Sequence, residues 1–326
     1  MMNARSWQSA IVSLAVLASV GVCGCSSEDP VADGADLDEP GKSDDAETSP
    51  VSNADDEEGD PDVENAVQCE ATYFEVETDP EDFDRLTAQV VDPQGDPVVG
   101  TQGQACGLDV CLRSETDELG FVVVSAPKDD TTAMRMAFKY GEGLEVAQFA
   151  WLLEGGPEYE VGTQTTIYLE GEGEQFEKGE TISAGDFDLT LAANAEIVTD
   201  ELSFRDEADK FVAGAFEDAS DWPNAVDVLS ERAELVFVFG VGPAHTAFCP
   251  PAELSVSVPD DADLEPGQAV DFYLHITDSA NRWGKYGDWG KVSSGQVSDD
   301  GERIVTAEGG GIPELGTLAI ALSDDE

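Results

Sequence analysis

Two histidines, His245 and His275, are all that this 326-residue chain offers of the side chain best suited to moving protons near neutral pH. His275 falls inside the alternating run Phe272-Tyr273-Leu274-His275-Ile276, which reads as an ordinary strand residue rather than a base. No His-Glu-x-x-His pair and no Gly-x-Ser-x-Gly elbow is present. Ser293 and Ser294 read as turn residues with no base near them in sequence. With 71 Asp and Glu, some carboxylate pair will stand at glycosidase separation by chance, so acid abundance is no evidence for catalysis. No catalytic residue is assigned. The cysteines form no Cys-x-x-Cys pair and histidines are scarce, so no metal ligand is assigned either.

The densest cluster of other recognition chemistry is Asn281-Arg282-Trp283-Gly284-Lys285-Tyr286-Gly287-Asp288-Trp289-Gly290-Lys291. Aromatic faces rimmed by hydrogen-bonding groups suit sugar rings, so Trp283, Tyr286 and Trp289 are the candidate ligand-binding residues, with a glycan as ligand. The competing reading, which the sequence favours, is a loop whose tryptophans plug the end of a β-sandwich while Arg and Lys pair with surface acids. Acidic clusters such as Asp55-Asp56-Glu57-Glu58 suit loosely bound calcium, although the spacing of a dedicated calcium loop is absent. No other cofactor is implied.

The chain starts with a segment that sets its compartment. Arg5 precedes an apolar run from Ala10 to Val22, the length of a signal-peptide core and too short to cross a bilayer of about 30 Å. The run ends in Val22-Cys23-Gly24-Cys25, which resembles a bacterial lipobox. That resemblance implies cleavage before Cys25, with Gly24 at −1 and Val22 at −3, and acylation of Cys25, palmitate included. An ordinary secretory peptide cut near the same place is the alternative. More than one acyl chain on Cys25 makes a stable membrane anchor. Ser26, at +2, is not the aspartate that retains such proteins in an inner membrane, so the resemblance implies the outer membrane.

Residues 26–66 then hold 16 acids and one base, with almost no large apolar side chain. They cannot bury enough area to offset chain entropy, and a disordered acidic linker is expected. The rest, 67–326, carries 55 acids and 13 bases, so the acidity is not confined to the linker. Such a surface repels nucleic acid and anionic membrane. An exported compartment is oxidising, so Cys69, Cys106, Cys111 and Cys249 are expected in two disulfides. Three pairings are open; Cys106 with Cys111 and Cys69 with Cys249 is the one the spacing prefers.

About 260 residues exceed one β-sandwich and point to two domains, 67–175 and 176–326. In the first, Leu86–Asp92 reads as a strand, Asp92-Pro93-Gln94-Gly95-Asp96-Pro97 as a turn, and Asp117–Gly120 as a turn feeding a β-branched strand. Met134, Met136, Phe138 and Tyr140 alternate with polar or small residues. Strands are expected at Gln148–Leu153 and Gln164–Leu169. Val90, Asp92, Gly95, Pro97, Val98, Gly100, Thr116, Asp117, Gly120 and Phe121 are together similar to the carboxypeptidase regulatory-like, or transthyretin-like, β-sandwich family. The resemblance implies that sandwich over 67–175, in a non-catalytic accessory role.

Residues 170–181 lack apolar periodicity and mark the boundary. Beyond it, strands are expected at Ile182–Leu191, Glu234–Val241, Leu254–Val258 and Val270–Thr277, a short helix at Asp206–Phe216, and a chain break at Phe248-Cys249-Pro250-Pro251. Ser298-Asp299-Asp300-Gly301 reads as a hairpin turn. This half resembles immunoglobulin-like surface modules. The expected protein is mostly β, with a transthyretin-like and then an immunoglobulin-like sandwich. It is a lipid-anchored envelope lipoprotein, not an enzyme, with a structural or interaction role and an envelope protein or glycan as partner. Calcium- or glycan-dependent adhesion and a hydrolase on the exported side are the alternatives.

Overall fold

Alternation of apolar and polar side chains every second residue produces strands here almost without exception. The computed structural model describes residues 85–106, 111–125, 133–137, 145–152, 158–199, 210–259, 262–277 and 283–323. Cys25, the linker and Cys69 lie outside the described residues. So do Asn281 and Arg282.

Eight strands come first: β1 (Arg85–Val91), β2 (Gln102–Cys106), β3 (Cys111–Glu115), β4 (Phe121–Ser125), β5 (Ala133–Ala137), β6 (Glu145–Val146), β7 (Phe149–Leu152) and β8 (Glu158–Thr165). They build two small sheets, β4-β1-β8 and β3-β2-β5-β7, while β6 joins a third. Leu86, Ala88, Val90, Val122 and Val124 on the first sheet face Ala105, Leu112 and Trp151 on the second. The sheets approach closely at Gly103, where a Cβ would stand 2.7 Å from Val122 Cγ2. The expected turns form. Gly95 N–H donates to the Asp92 carbonyl at 2.9 Å with φ +82°, and Gly120 N–H to the Asp117 carbonyl at 2.9 Å with φ +76°.

Twelve more strands follow: β9 (Tyr168–Gln175), β10 (Thr181–Ala184), β11 (Phe187–Thr190), β12 (Glu196–Val198), β13 (Lys210–Ala215), β14 (Leu235–Gly242), β15 (Ala247–Ser257), β16 (Ala269–His275), β17 (Trp289–Val297), β18 (Arg303–Thr306), β19 (Ile312–Glu314) and β20 (Thr317–Leu322). With β6 they form one large sheet, β10-β11-β15-β18-β17-β16-β20-β14-β13-β9-β6, with β12 and β19 on β15. Its two ends meet: Ser183 N–H on β10 donates to the Glu174 carboxylate on β9 at 3.0 Å. The sheet therefore rolls around a core that includes Phe187, Phe237, Phe239, Phe248 and Phe272. Part of its outer face is covered by a short helical stretch ending in α1 (Asp227–Ser230) and by β7.

Six local expectations are corrected. The strand expected at Ile182–Leu191 is instead the hairpin of β10 and β11, which turns at Gly185 with φ +58°. Where a helix was read at 206–216, Lys210–Ala215 is the strand β13. Phe211 and Ala213 face the inner core while Val212 faces the outer one, so apolar residues on both sides mimic helical spacing. The Phe248–Pro251 run does not break the chain but lies inside β15. The prolines fall where β15 changes partners, from β12 to β11 and β18, so a missing N–H is tolerated. Gln164–Leu169 is a corner between β8 and β9 rather than one strand. Ser293 and Ser294 belong to β17, not a turn. The 170–181 stretch holds most of β9, kept in the sheet by its backbone ladder to β13.

Candidate functional site

The polar side chains best able to do chemistry gather where residues 145–150, the first two of which form β6, meet the rest of the large sheet. Gln148 is buried although it sits in an apolar run, and its backbone carbonyl accepts from Thr317 Oγ1 at 2.6 Å. Its side-chain Oε1 stands 3.2 Å from His245 Nε2 and 3.5 Å from Thr277 Oγ1. The other imidazole nitrogen, Nδ1, stands 3.0 Å from Glu314 Oε1. One residue before His245, the Ala244 N–H donates to Glu145 Oε1 at 2.8 Å.

The backbone aims His245 into this seam. Its φ of +65° is the one positive value at a non-glycine position among the described residues. A left-handed conformation costs a side-chain-bearing residue about 1 kcal/mol or more and persists where surroundings hold it. Here His245 N–H donates to the Leu315 carbonyl at 2.8 Å and Leu315 N–H to the Thr246 carbonyl at 2.9 Å. The approach is tight: a Cβ on Gly242 would meet the Glu145 carboxylate at 2.9 Å.

Two residues along, the same segment meets His275. The Ala150 N–H donates to His275 Nε2 at 2.9 Å, which requires an unprotonated nitrogen there. Phe149 and Trp289 enclose the ring, with centroids 5.6 and 4.6 Å away. Burial pushes its pKa down to about 4, and the nearby Asp288 carboxylate, which pulls the other way, is outweighed. His275 sits in β16, where its alternating neighbours put it.

Thr277 Oγ1, His245 and Glu314 stand in a row, with the hydroxyl 3.4 Å from Nε2. A hydroxyl, an imidazole and a carboxylate in that order can activate a nucleophile when the imidazole nitrogen is free to take the hydroxyl proton. Here Gln148 Oε1 shares that nitrogen, and Thr277 is 3% exposed.

The three aromatics expected to form a glycan platform are largely covered. Tyr286 and Trp289 are 7% and 3% exposed, and Trp289 Nε1 donates to the Ala225 carbonyl at 2.9 Å. Trp283 packs half-buried against the core of the large sheet. A stacking platform needs open ring faces, whereas Trp289 packs on His275 and Tyr286 on Ala150. Lys291 pairs with the buried Asp271 at 2.8 Å.

Cys249 is disulfide-bonded, and the β2–β3 register sets Cys106 opposite Cys111. Among the described residues no cluster of His, Cys, Asp and Glu fits a metal ion. No helix there is long and apolar enough to cross a membrane.

Sequence reasoning missed Gln148, Glu145, Thr277, Glu314 and Thr317 as a group. The available signal was a polar residue inside an apolar run, as with Gln148 in Val146-Ala147-Gln148-Phe149-Ala150-Trp151.

No protein-family model matches the chain, and no curated protein matches it. Among solved structures, a 9R-lipoxygenase from Cyanothece PCC8801 is 15% identical over 31% of this chain and 19% of its own length. Its TM-score is 0.19, and nothing is inferred from it.

Proposed function

We propose that the chain is a lipid-anchored cell-envelope lipoprotein with a non-enzymatic structural or interaction role. The observation that carries this reading is Val22-Cys23-Gly24-Cys25 at the end of an apolar run, with Cys25 as the acylated residue. An acidic linker, 26–66, separates the anchor from the β-rich body. In this reading 67–175 is a transthyretin-like module and 176–326 an immunoglobulin-like one. The anchor lies in the outer membrane, and the disulfides pair Cys106 with Cys111 and Cys69 with Cys249. The seam supports a scaffold: its histidines, Gln148 and Thr277 hold the two β-regions to each other. With Tyr286 and Trp289 buried, this reading takes an envelope protein rather than a glycan as the partner.

The test is metabolic labelling of the full chain with palmitate, alongside Cys25→Ser. Label and detergent-phase partitioning in the wild type, both lost in Cys25→Ser, are the expected results. Label that survives in Cys25→Ser overturns the anchor. Turnover of an envelope polymer by the purified chain overturns the non-enzymatic role.

A further inference from the structure

We propose that the free edge of β4 is a docking site for an extended, basic segment of another protein, which pairs with it as an added antiparallel strand. This gives the interaction role proposed above a surface and a partner chemistry, and it rests on that role and not on the lipid anchor.

Strand β4 lies at one side of its sheet, with β1 as its neighbour and, among the described residues, no strand beyond it. The pairing sets Leu86 opposite Val124 and Ala88 opposite Val122, and Val90 N–H donates to the Gly120 carbonyl at 2.8 Å. Main-chain groups alternate sides along a strand, so Val122 and Val124 bond to β1 while the N–H and C=O of Phe121, Val123 and Ser125 point outward. Phe121 is taken up by its own turn: its N–H donates to Asp117 Oδ1 and its carbonyl accepts from Asp117 N–H, both at 2.9 Å. Val123 and Ser125 keep their main-chain groups turned away from the sheet, open to a further strand.

The side chains make this edge apolar as well as open. Val122 and Val124 lie in the core, while Phe121 and Val123 are 45% and 42% exposed, with Leu119 exposed beside them. Sheets ordinarily guard such an edge with charge, proline or a bulge. The opposite edge of this sheet, β8, carries Glu160 and a register shift against β1. The edge strand β3 of the facing sheet carries Arg113 and Glu115. β4 has none of these guards: it reads Phe-Val-Val-Val-Ser, and its register with β1 is unbroken.

Charge selects the partner. The chain entering β4 exposes Glu115, Asp117 and Glu118, and the one base on the three strands of this sheet is Arg85, opposite Ser125 at the other end. The whole chain has 71 acids to 15 bases. A second copy would bring like charge to like, whereas a segment with Lys or Arg is drawn in. Antiparallel pairing is the commoner and slightly stronger kind. It sets the C-terminal residues of the added segment beside Asp117 and Glu118, so its bases belong at that end. Its apolar side chains, at alternate positions, extend the row of Phe121 and Val123 on the open face, as in peptide recognition by strand addition.

The probe is a fluorescent synthetic peptide, Thr-Val-Thr-Val-Thr-Lys-Lys with an amidated end, titrated by anisotropy into the detergent-solubilised full chain. Half-saturation should fall below about 1 mM. The same peptide ending in Glu-Glu should bind about tenfold more weakly or worse. Val123→Pro removes an outward N–H and no bond to β1, and should weaken the lysine peptide about tenfold. Phe121→Thr leaves the backbone intact and should weaken it about threefold. Cys25→Ser should bind as the wild type does, so failure of this site and failure of the anchor are told apart. Undiminished binding by Val123→Pro and Phe121→Thr would put the peptide elsewhere on the acidic surface and overturns the proposal. So does the absence of saturation by the wild type, or equal affinity for the two peptides. A dimer of the full chain that Val123→Pro dissolves also overturns it, because the occupant is then a second copy.

Discussion

One short segment, 147–150, meets the large sheet through two histidines in opposite surroundings. At His275 the environment is aromatic: Phe149 and Trp289 enclose the ring and a backbone N–H occupies its nitrogen. At His245 it is a ring of oxygens from Glu314, Gln148 and Thr277. The first setting excludes charge and gains stability from packing. The second gains geometry from directed hydrogen bonds. The same residue type thus serves as a piece of core in one place and as a polar link in the other, and its neighbours decide which.

The aromatic side can be broken most severely. Phe149→Ala should cost about 3–5 kcal/mol in denaturant unfolding, because the ring is 2% exposed and its walls are other rings that cannot all collapse inward. A cost under about 1 kcal/mol would mean that the polar side alone holds the contact.

His275 gives the next effect. Its pKa is lowered from 6.5 to about 4, so it contributes stability fully above the unfolded value, and that contribution is lost as pH falls from 6.5 to about 4. The loss should approach about 3 kcal/mol. His275→Gln should flatten that part of the pH–stability curve, as followed by thermal melts at closely spaced pH values. An unflattened curve would place the acid sensitivity on the carboxylates instead.

Crowding the meeting point should cost less. A Cβ on Gly240 would stand 2.6 Å from Leu169 Cδ2 and 3.1 Å from Ala147 Cβ, so Gly240→Ala should destabilise by about 1–3 kcal/mol. The midpoint of a urea titration reads this directly. The smallest change should run the other way. Thr101 Oγ1 is buried with no hydrogen-bond partner, so Thr101→Val should leave stability unchanged or raise it by about 1 kcal/mol. A clear loss would show that this hydroxyl does have a partner.

These contrasts mark what the sequence could and could not reveal. The turns at Asp92–Gly95, Asp117–Gly120 and Ser298–Gly301 were legible because each rests on chemistry within four residues. Asp92 Oδ1, for example, accepts from Gln94 and Asp96 N–H at 3.0 and 2.9 Å. The mostly-β character followed from period-two alternation. Strand β13 was misread because it is covered on both faces, which erases that alternation. The His245 seam was invisible because Gln148, His245, Thr277 and Glu314 come from four separate segments. Their partnership exists only after the large sheet has rolled up. The aromatic loop at 283–289 was visible as a cluster, but composition does not tell a binding face from a plug. Gly290 shows the difference: a Cβ there would stand 2.2 Å from the Trp283 carbonyl, so the loop is pressed back onto β17.

The position of β1 has a mechanical consequence. It is the central strand of its sheet, antiparallel to β4 from Arg85 opposite Ser125 to Gln89 opposite Phe121, and parallel to β8 from Arg85 opposite Glu158 to Val91 opposite Thr165. A pull along β1 loads both of these ladders at once. The inter-strand bonds lie across that direction, so both ladders are loaded in shear and must yield together rather than peel one bond at a time. Strand β1 is thus held from both sides against a pull along its own axis.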